Sequence, residues 1–431
     1  MQEGIKVLLG KSVREGKKIY WEPKREKNPH LVVVGTSGSG KTETLRSIIL
    51  ELKRQNVPSI IIDFHAEFRD VADQVINLRD LTINPLEIEL GRRPQDVVYE
   101  VANIMKKIFS LGDQQEALLR QAIRRCYEDN RINILNPVYS NMKAPPFMDI
   151  KDKINEIYDE SDSISRNTLF SLTNRIEALF EVDIFFKENT IIPFDTIIRK
   201  TTSIELKDFP TEDIKSVIAE FFLNKLIYYL YKAGKSDSMR LHCVIDEAHR
   251  LTYEGSPLDR LLRESRKYGT GIILSSQRPS DFSETILANS GGIISLQCSL
   301  EKDAKFVARQ MNLDFIDVKN LTDVGSGFVK FSSDNVSRKI KIQHINERLT
   351  EEEKSEIERK LRQFERLVIK VEEKKKRKVK PKKRRKLRPA KKILKSKKSK
   401  KEKTKRLTIC RNCLYGNEKD ALYCTECGAR L

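Results

Sequence analysis

Residues Leu31 to Thr42 read LVVVGTSGSGKT, four apolar residues running straight into a small polar loop with glycine at 35, 38 and 40, closed by a lysine and a hydroxyl. Few folds accommodate such a switch. An unbroken apolar run suits a strand covered on both faces, as in a parallel sheet. The helical pattern that follows, Thr42 to about Gln55, aims unpaired N–H groups and a positive dipole end back at the loop. Gly35, Thr36, Ser37, Gly38, Ser39, Gly40, Lys41 and Thr42 fit the pattern G-x-x-x-x-G-K-[ST], whose glycines let backbone amides curl around phosphate oxygens with no Cβ in the way. Such a loop implies ATP, with Lys41 against the β- and γ-phosphates and Thr42 on Mg²⁺.

Charge says less than it first suggests. The chain of 431 residues carries a formal net charge of +20. Between Lys374 and Arg406, however, 22 Lys and Arg stand against the single acid Glu402, so that stretch supplies +21 and the remaining 398 residues sum to −1. The basicity belongs to a tail, and no claim of a basic face on the folded part can rest on it. The first ten residues lack the basic-then-apolar pattern of a signal peptide, and the apolar stretch FFLNKLIYYLY is broken by Asn224 and Lys225. Together with scattered cysteines at 126, 243 and 298, these features predict a cytoplasmic protein with no membrane span.

Read in order, residues 1–30 form a short β lead-in and 31–90 the first part of an α/β core, with Ser59 to Asp63 as a second strand. From 91 to 190 the apolar spacing turns helical, at Val97 to Phe109, Gln114 to Tyr127, Ile150 to Tyr158 and Asn167 to Phe180, predicting an inserted all-helical subdomain. Strand logic resumes over 191–347: Thr202 to Leu206, Leu241 to Ile245, Gly271 to Ser275, Gly292 to Leu296, and a hairpin of Gly327 to Ser332 with Ser337 to Ile342. Residues 348–406 read as a charged helix to about Glu372 and then a disordered basic linker, because a run this poor in apolar residues cannot bury a core. Residues 407–431 carry Cys410-x-x-Cys413 and Cys424-x-x-Cys427, two knuckles that predict a structural Zn²⁺ held by four thiolates, in a segment too short to fold without its metal.

The strand Leu241 to Ile245 ends in Asp246 and Glu247. In nucleotide-hydrolysing phosphate-loop proteins an acid at a neighbouring strand end holds the Mg²⁺ shell, and a second one orients and deprotonates water. Asp246 is therefore expected on the metal and Glu247 as the base; the competing reading is a helix cap with ordinary first-turn acids. Gln277, in SSQRP at the end of the following strand, is placed to touch the γ-phosphate or the attacking water. Asp63 ends the second strand with Glu67 four residues on, and either could orient water or metal or simply cap the turn.

The GTSGSGKT loop, IIDFHAEF, VIDEAHRL, RESRKYGTG and SSQRPSDF occur in the order seen in the HerA/FtsK superfamily of ring-forming DNA-pumping ATPases, and the chain resembles its archaeal HerA-like branch over residues 31 to about 300. The resemblance implies a RecA-like P-loop core, a homo-oligomer expected to be a hexamer, ATP at subunit boundaries, duplex DNA through the centre, and a catalytic arginine supplied by the neighbouring subunit. Arg263, Arg266 and Arg278 are candidates for it, with Arg266 preferred. Two departures stand out. Family members usually begin with a β-barrel that bears on docking of a nuclease partner, where 30 residues precede the core here, and Ala66 occupies a position that tends to be glycine. The expected activity is ATP-driven DNA translocation of helicase type. A motor for another polymer and a nucleotide-switched nucleic-acid or partner-binding module remain alternatives.

Overall fold

The computed structural model describes residues 4–89, 91–135, 143–186, 189–362, 407–409 and 416–418. Its strands are β1 (Val7–Ser12), β2 (Lys18–Trp21), β3 (Leu31–Val34), β4 (Ser59–Asp63), β5 (Gln74–Asn77), β6 (Thr202–Glu205), β7 (Ser236–Ile245), β8 (Tyr268–Ser276), β9 (Gly292–Ser295), β10 (Ser326–Phe331) and β11 (Ser337–Ile342). They make one 11-stranded sheet in the order β2-β1-β11-β10-β9-β3-β8-β7-β4-β6-β5. The run from β9 to β5 is parallel throughout. On the β9 side, β10, β11, β1 and β2 continue the sheet antiparallel.

Side-chain alternation in the central strands builds two cores. Val32, Val34, Ile60 and Ile62 face one way, while Leu31, Val33 and Ile61 face the other. The second layer is sealed by α1 (Lys41–Arg54), which buries Leu45, Ile48, Ile49 and Leu52 beneath the strand that launched it. Each such side chain is worth roughly 1.5–3 kcal/mol on full burial.

The first layer holds the helices α2 (Pro94–Ile108), α3 (Asp113–Asp129), α4 (Asp149–Glu160), α5 (Ser163–Ile176) and α6 (Phe194–Ile197), followed by the 22-residue α7 (Glu212–Ala233). Phe147, Phe185 and Phe221 form a ring cluster where this helical block meets α7, with centroids 4.8 to 6.0 Å apart. Glu100 and Lys225 are paired at this seam. Glu100 of α2 accepts from Arg92, Asn224 and Arg260, and Lys225 reaches Glu87 and Glu89. The chain enters and leaves the block through one neck. Thr82 and Ile191 form an antiparallel bridge, Ile83 N donates to Ile184 O at 3.0 Å, and Asn84 N donates to Thr190 Oγ1 at 3.0 Å.

The remaining helices are α8 (Pro257–Glu264), α9 (Glu284–Ala288), α10 (Glu301–Met311) and α11 (Phe315–Lys319). Residues 351–362 are helical too.

The β lead-in is a hairpin, β1 pairing antiparallel with β2, and β1 also pairs with β11, so the lead-in extends the main sheet beyond the hairpin of β10 and β11. β5, the far edge strand, has no apolar alternation by which sequence could reveal it; all four of its residues are partly exposed.

Contacts divide the chain into Met1–Val368 and Ile369–Leu431. In the second unit, β12 (Leu407–Ile409) and β13 (Gly416–Glu418) pair antiparallel, Leu407 opposite Glu418. Cys410, Cys413, Cys424 and Cys427, like the basic run 374–406, lie outside the described residues. Among the described residues no helix is long and apolar enough to cross a membrane.

Candidate active site

The phosphate loop spans the six residues between β3 and α1. Gly38 and Gly40 take φ of +78° and +101°, the left-handed region that only glycine enters without strain. Gly35 is required by space, since a Cβ there would stand 2.6 Å from Ser39 Oγ and 2.9 Å from Leu296 Cβ. Three strand ends hold the loop in shape. Gly35 N donates to Ser276 O at 3.2 Å, Thr36 N to Gln297 O at 2.7 Å, and Gly325 N to Ser39 O at 3.0 Å. Ser37 and Gly38 are exposed at the tip.

Whether ATP and Mg²⁺ suit these residues can be judged from their unmet needs. The Ser39 hydroxyl is buried without a hydrogen-bond partner. The first amides of α1 have no acceptor within the helix by geometry. Lys41 is buried, with Nζ donating to Thr36 O at 3.1 Å. Burial pushes its pKa down, while the Glu247 and Asp246 carboxylates pull it up again. Both acids thus sit within electrostatic reach of the loop lysine. The site fits a phosphate chain and a hard cation: Lys41 and the loop amides would hold the first, Thr42 and Asp246 the second.

Strand order explains how the acids get there. β7, which ends at Ile245, is not the neighbour of β3; β8 lies between them, with Val34 opposite Ser276 and Ile245 opposite Leu274. The sequence expectation of adjacent strands is therefore corrected. Its consequence is that Gln277 emerges between the loop and the acid pair.

Asp246 is buried, and burial raises its carboxyl to about 6. Its Oδ1 accepts from Glu247 N at 3.0 Å. Glu247 takes φ of +53°, a left-handed conformation that costs a residue with a Cβ roughly 1–2 kcal/mol. Its Oε1 accepts from Gln277 Nε2 at 2.7 Å, and its Oε2 lies 3.5 Å from His249 Nδ1. Sequence reasoning passed over His249, although it sits two residues beyond Glu247 in the same turn.

The choice left open between Asp63 and Glu67 resolves by hydrogen bonding. Asp63 accepts from the amides of His65, Glu67 and Phe68 and from Ser203 Oγ, at 3.0 to 3.2 Å, so it caps the turn after β4. Glu67 is exposed, and its Oε2 accepts from Thr42 Oγ1 at 3.2 Å. Ala66 sits between them at φ +63°, which supplies the physical reason glycine suits this position.

Arg266 is not in this site. It precedes β8 at the opposite sheet edge, roughly 30 Å along the strand from Gln277 at about 3.3 Å per residue. There it donates to the Lys27 carbonyl and borders a cleft with Lys24, Arg263 and Lys267. Arg263 pairs with Asp259 at 2.8 Å. Arg278 is exposed next to Gln277, on the chain's own nucleotide side.

With this geometry in hand, comparison with known proteins is informative. Residues 9–226 match the family model described as the central domain of helicase HerA. The chain belongs to that family.

A probable helicase of Methanocaldococcus jannaschii is 24% identical over 69% of this chain and 58% of its own length. The DNA double-strand break repair helicase HerA of Sulfolobus acidocaldarius is 24% identical over 75% of this chain and 67% of its own. The chain thus spans about three fifths to two thirds of these relatives. Among solved structures, VirB4 of Thermoanaerobacter pseudethanolicus superposes with a TM-score of 0.63 at 19% identity, covering 82% of this chain and 99% of that one. The plasmid coupling protein TrwB in complex with ADP and Mg²⁺ reaches 0.54 at 13% identity, covering 76% and 87%. The fold is that of a RecA-like, HerA-type P-loop ATPase domain.

Proposed function

We propose that this chain hydrolyses ATP and couples the hydrolysis to movement along DNA, as a translocase of helicase type assembled into a homo-oligomeric ring, expected to be hexameric. The observation that carries the reading is the convergence on one sheet edge of a phosphate loop, a buried acid and a second acid hydrogen-bonded to a strand-end amide. Lys41, Thr36, Ser37, Ser39 and the glycine amides hold the phosphates. Lys41 also offsets charge that develops on the γ-phosphate. Thr42 and Asp246 would hold Mg²⁺, which would offset negative charge on the phosphate chain. Glu247 takes the proton from the attacking water, and Gln277 fixes where that water or the γ-phosphate sits.

DNA as the polymer is supported by the relatives, one of which is named a DNA repair helicase and another a DNA import protein. Arg266 belongs to this scheme as a residue contributed across a subunit boundary. Its place at the opposite sheet edge, in a cleft with other cations, suits a neighbour's nucleotide better than its own. The four tail cysteines are proposed to hold structural Zn²⁺, and the basic run to add sequence-independent grip on phosphate backbones. A nuclease partner is left to experiment.

The test is steady-state ATP turnover with duplex DNA, single-stranded DNA, RNA or no polymer, measured alongside solution mass. Duplex-stimulated turnover by a hexamer is expected. Slow turnover indifferent to every polymer overturns the motor in favour of a nucleotide-switched module. Stimulation by another polymer alone redirects it.

A further inference from the structure

Two contacts tie the start of α1 to the segment that follows β4. Thr42 Oγ1 donates to Glu67 Oε2 at 3.2 Å, and one turn further along the helix Arg46 pairs with Asp70, three residues beyond Glu67. Phe68, between the two acids, is buried in the same core layer as Leu45 and Ile48 of α1. The backbone of Glu67 is held from the other side as well. Its N–H donates to Asp63 Oδ1 at 3.1 Å, and Ala66 before it is left-handed at φ +63°. Glu67 itself is exposed and fills no part of the core, so what this anchored and strained turn fixes is where one carboxylate stands.

The contact with Thr42 has a definite sense. An ionised carboxylate only accepts, so the single proton of the Thr42 hydroxyl lies toward Glu67 and the lone pairs of Oγ1 stay free. A hydroxyl that ligates a cation must offer a lone pair and not its proton. The charge of Glu67 also reaches the rest of the site. Burial moves Lys41 down and Asp246 up, and the Glu67 carboxylate adds an upward pull on each.

We propose that Glu67 is a positioning residue for the cation: by holding the Thr42 proton it leaves the lone pairs of the hydroxyl oxygen to Mg²⁺. Carboxylates that hydrogen-bond a metal's ligand orient that ligand and strengthen its hold. This inference rests on the reading of Thr42 as a Mg²⁺ ligand. It goes beyond that reading by naming the group that keeps Thr42 ready for the metal.

The test is the Mn²⁺ affinity of the whole chain with ADP bound, read from the EPR signal of free Mn²⁺, alongside ADP affinity in EDTA. Glu67→Ala is expected to weaken Mn²⁺ binding by about 10-fold or more while metal-free ADP binding stays within about two-fold, a split that a folding defect would not give. Glu67→Gln keeps an oxygen able to accept from Thr42 and is expected to stay within about three-fold of native. In a Thr42→Ala background, Glu67→Ala costs nothing further, because the hydroxyl it positions is gone. Native Mn²⁺ affinity in Glu67→Ala overturns the proposal. So does a Glu67→Gln as weak as Glu67→Ala, since charge alone then accounts for the loss. Thr42→Ala separates the two levels: native Mn²⁺ affinity there removes Thr42 from the cation and the underlying reading fails, whereas weakened affinity there beside a native Glu67→Ala rejects the positioning role alone.

Discussion

The ends of β4 and β7 make a controlled contrast within one molecule. The two strands pair in parallel with each other, and each runs through a buried apolar stretch, Ile60 to Ile62 and Cys243 to Ile245, into a buried aspartate at the same sheet edge. Asp63 is saturated by four donors from its own turn and from Ser203. Asp246 accepts one backbone amide, lies in the electrostatic reach of Lys41, and is pushed by burial to about 6 against the opposing pull of the Ser275 hydroxyl, whereas burial raises Asp63 against three backbone amides and Ser203. The two acids look alike in sequence, yet one is architecture and the other is capacity. What separates them is the number of donors the local backbone supplies, and a buried carboxylate with few donors needs an external cation.

That contrast can be broken most forcefully at Glu247, the acid next to Asp246. Glu247→Gln is expected to lower kcat by about 100-fold or more, the usual worth of a positioned base, with nucleotide binding retained in a filter or fluorescence assay. Asp63→Ala should act on folding instead. Orphaning a buried cap of this size costs about 2–4 kcal/mol, read as a drop in denaturation midpoint, while ATP affinity per folded molecule stays native. If Asp63→Ala abolished nucleotide binding in a folded protein, the division between the two acids would be wrong.

A third test concerns the opposite edge of the sheet, where imidazoles replace carboxylates. His30 and His242 are fully buried, and burial lowers them to about 4 and about 3 from an ordinary value of 6.5. His30 contacts Leu262 O and Ile272 N, with Arg266 nearby, and His242 packs edge-on against Trp21. Their folded pKa lies below the unfolded one, so the stability they contribute is complete above pH 6.5 and is lost as pH falls toward 4. The unfolding free energy should decline across that window, by an amount of order 3 kcal/mol for His30, read as a falling melting temperature, and His242→Leu should flatten the slope.

The smallest effect belongs to Ala66→Gly. Relieving a left-handed alanine is expected to stabilise the fold by up to about 1 kcal/mol in chemical denaturation, with the Glu67 and Thr42 contact intact.

Much of this site was readable from the chain alone, because the phosphate loop and the Asp246–Glu247 pair depend on short-range pattern: apolar strands, glycine at fixed offsets, acids at strand ends. What escaped depends on order in space. Nothing local to β8 says that it inserts between β3 and β7, since crossover helices set strand order through packing tens of residues away. The same gap hid the role of Gln277 as a partner of Glu247 and the recruitment of β1 and β2 into the main sheet. β5 was invisible for a different reason, being a half-exposed edge strand with no alternating pattern to detect. Asp63 could not be told from Asp246 by residue type, because the donors that consume it are backbone amides.

The neck at Thr82 and Ile191 sets where length can change. Ile83 N to Ile184 O and Asn84 N to Thr190 Oγ1 hold the two crossings side by side, so the chain leaves β5 and returns toward β6 from nearly one point, and the outer turns of the helical block can grow or shrink without pulling those two strands apart.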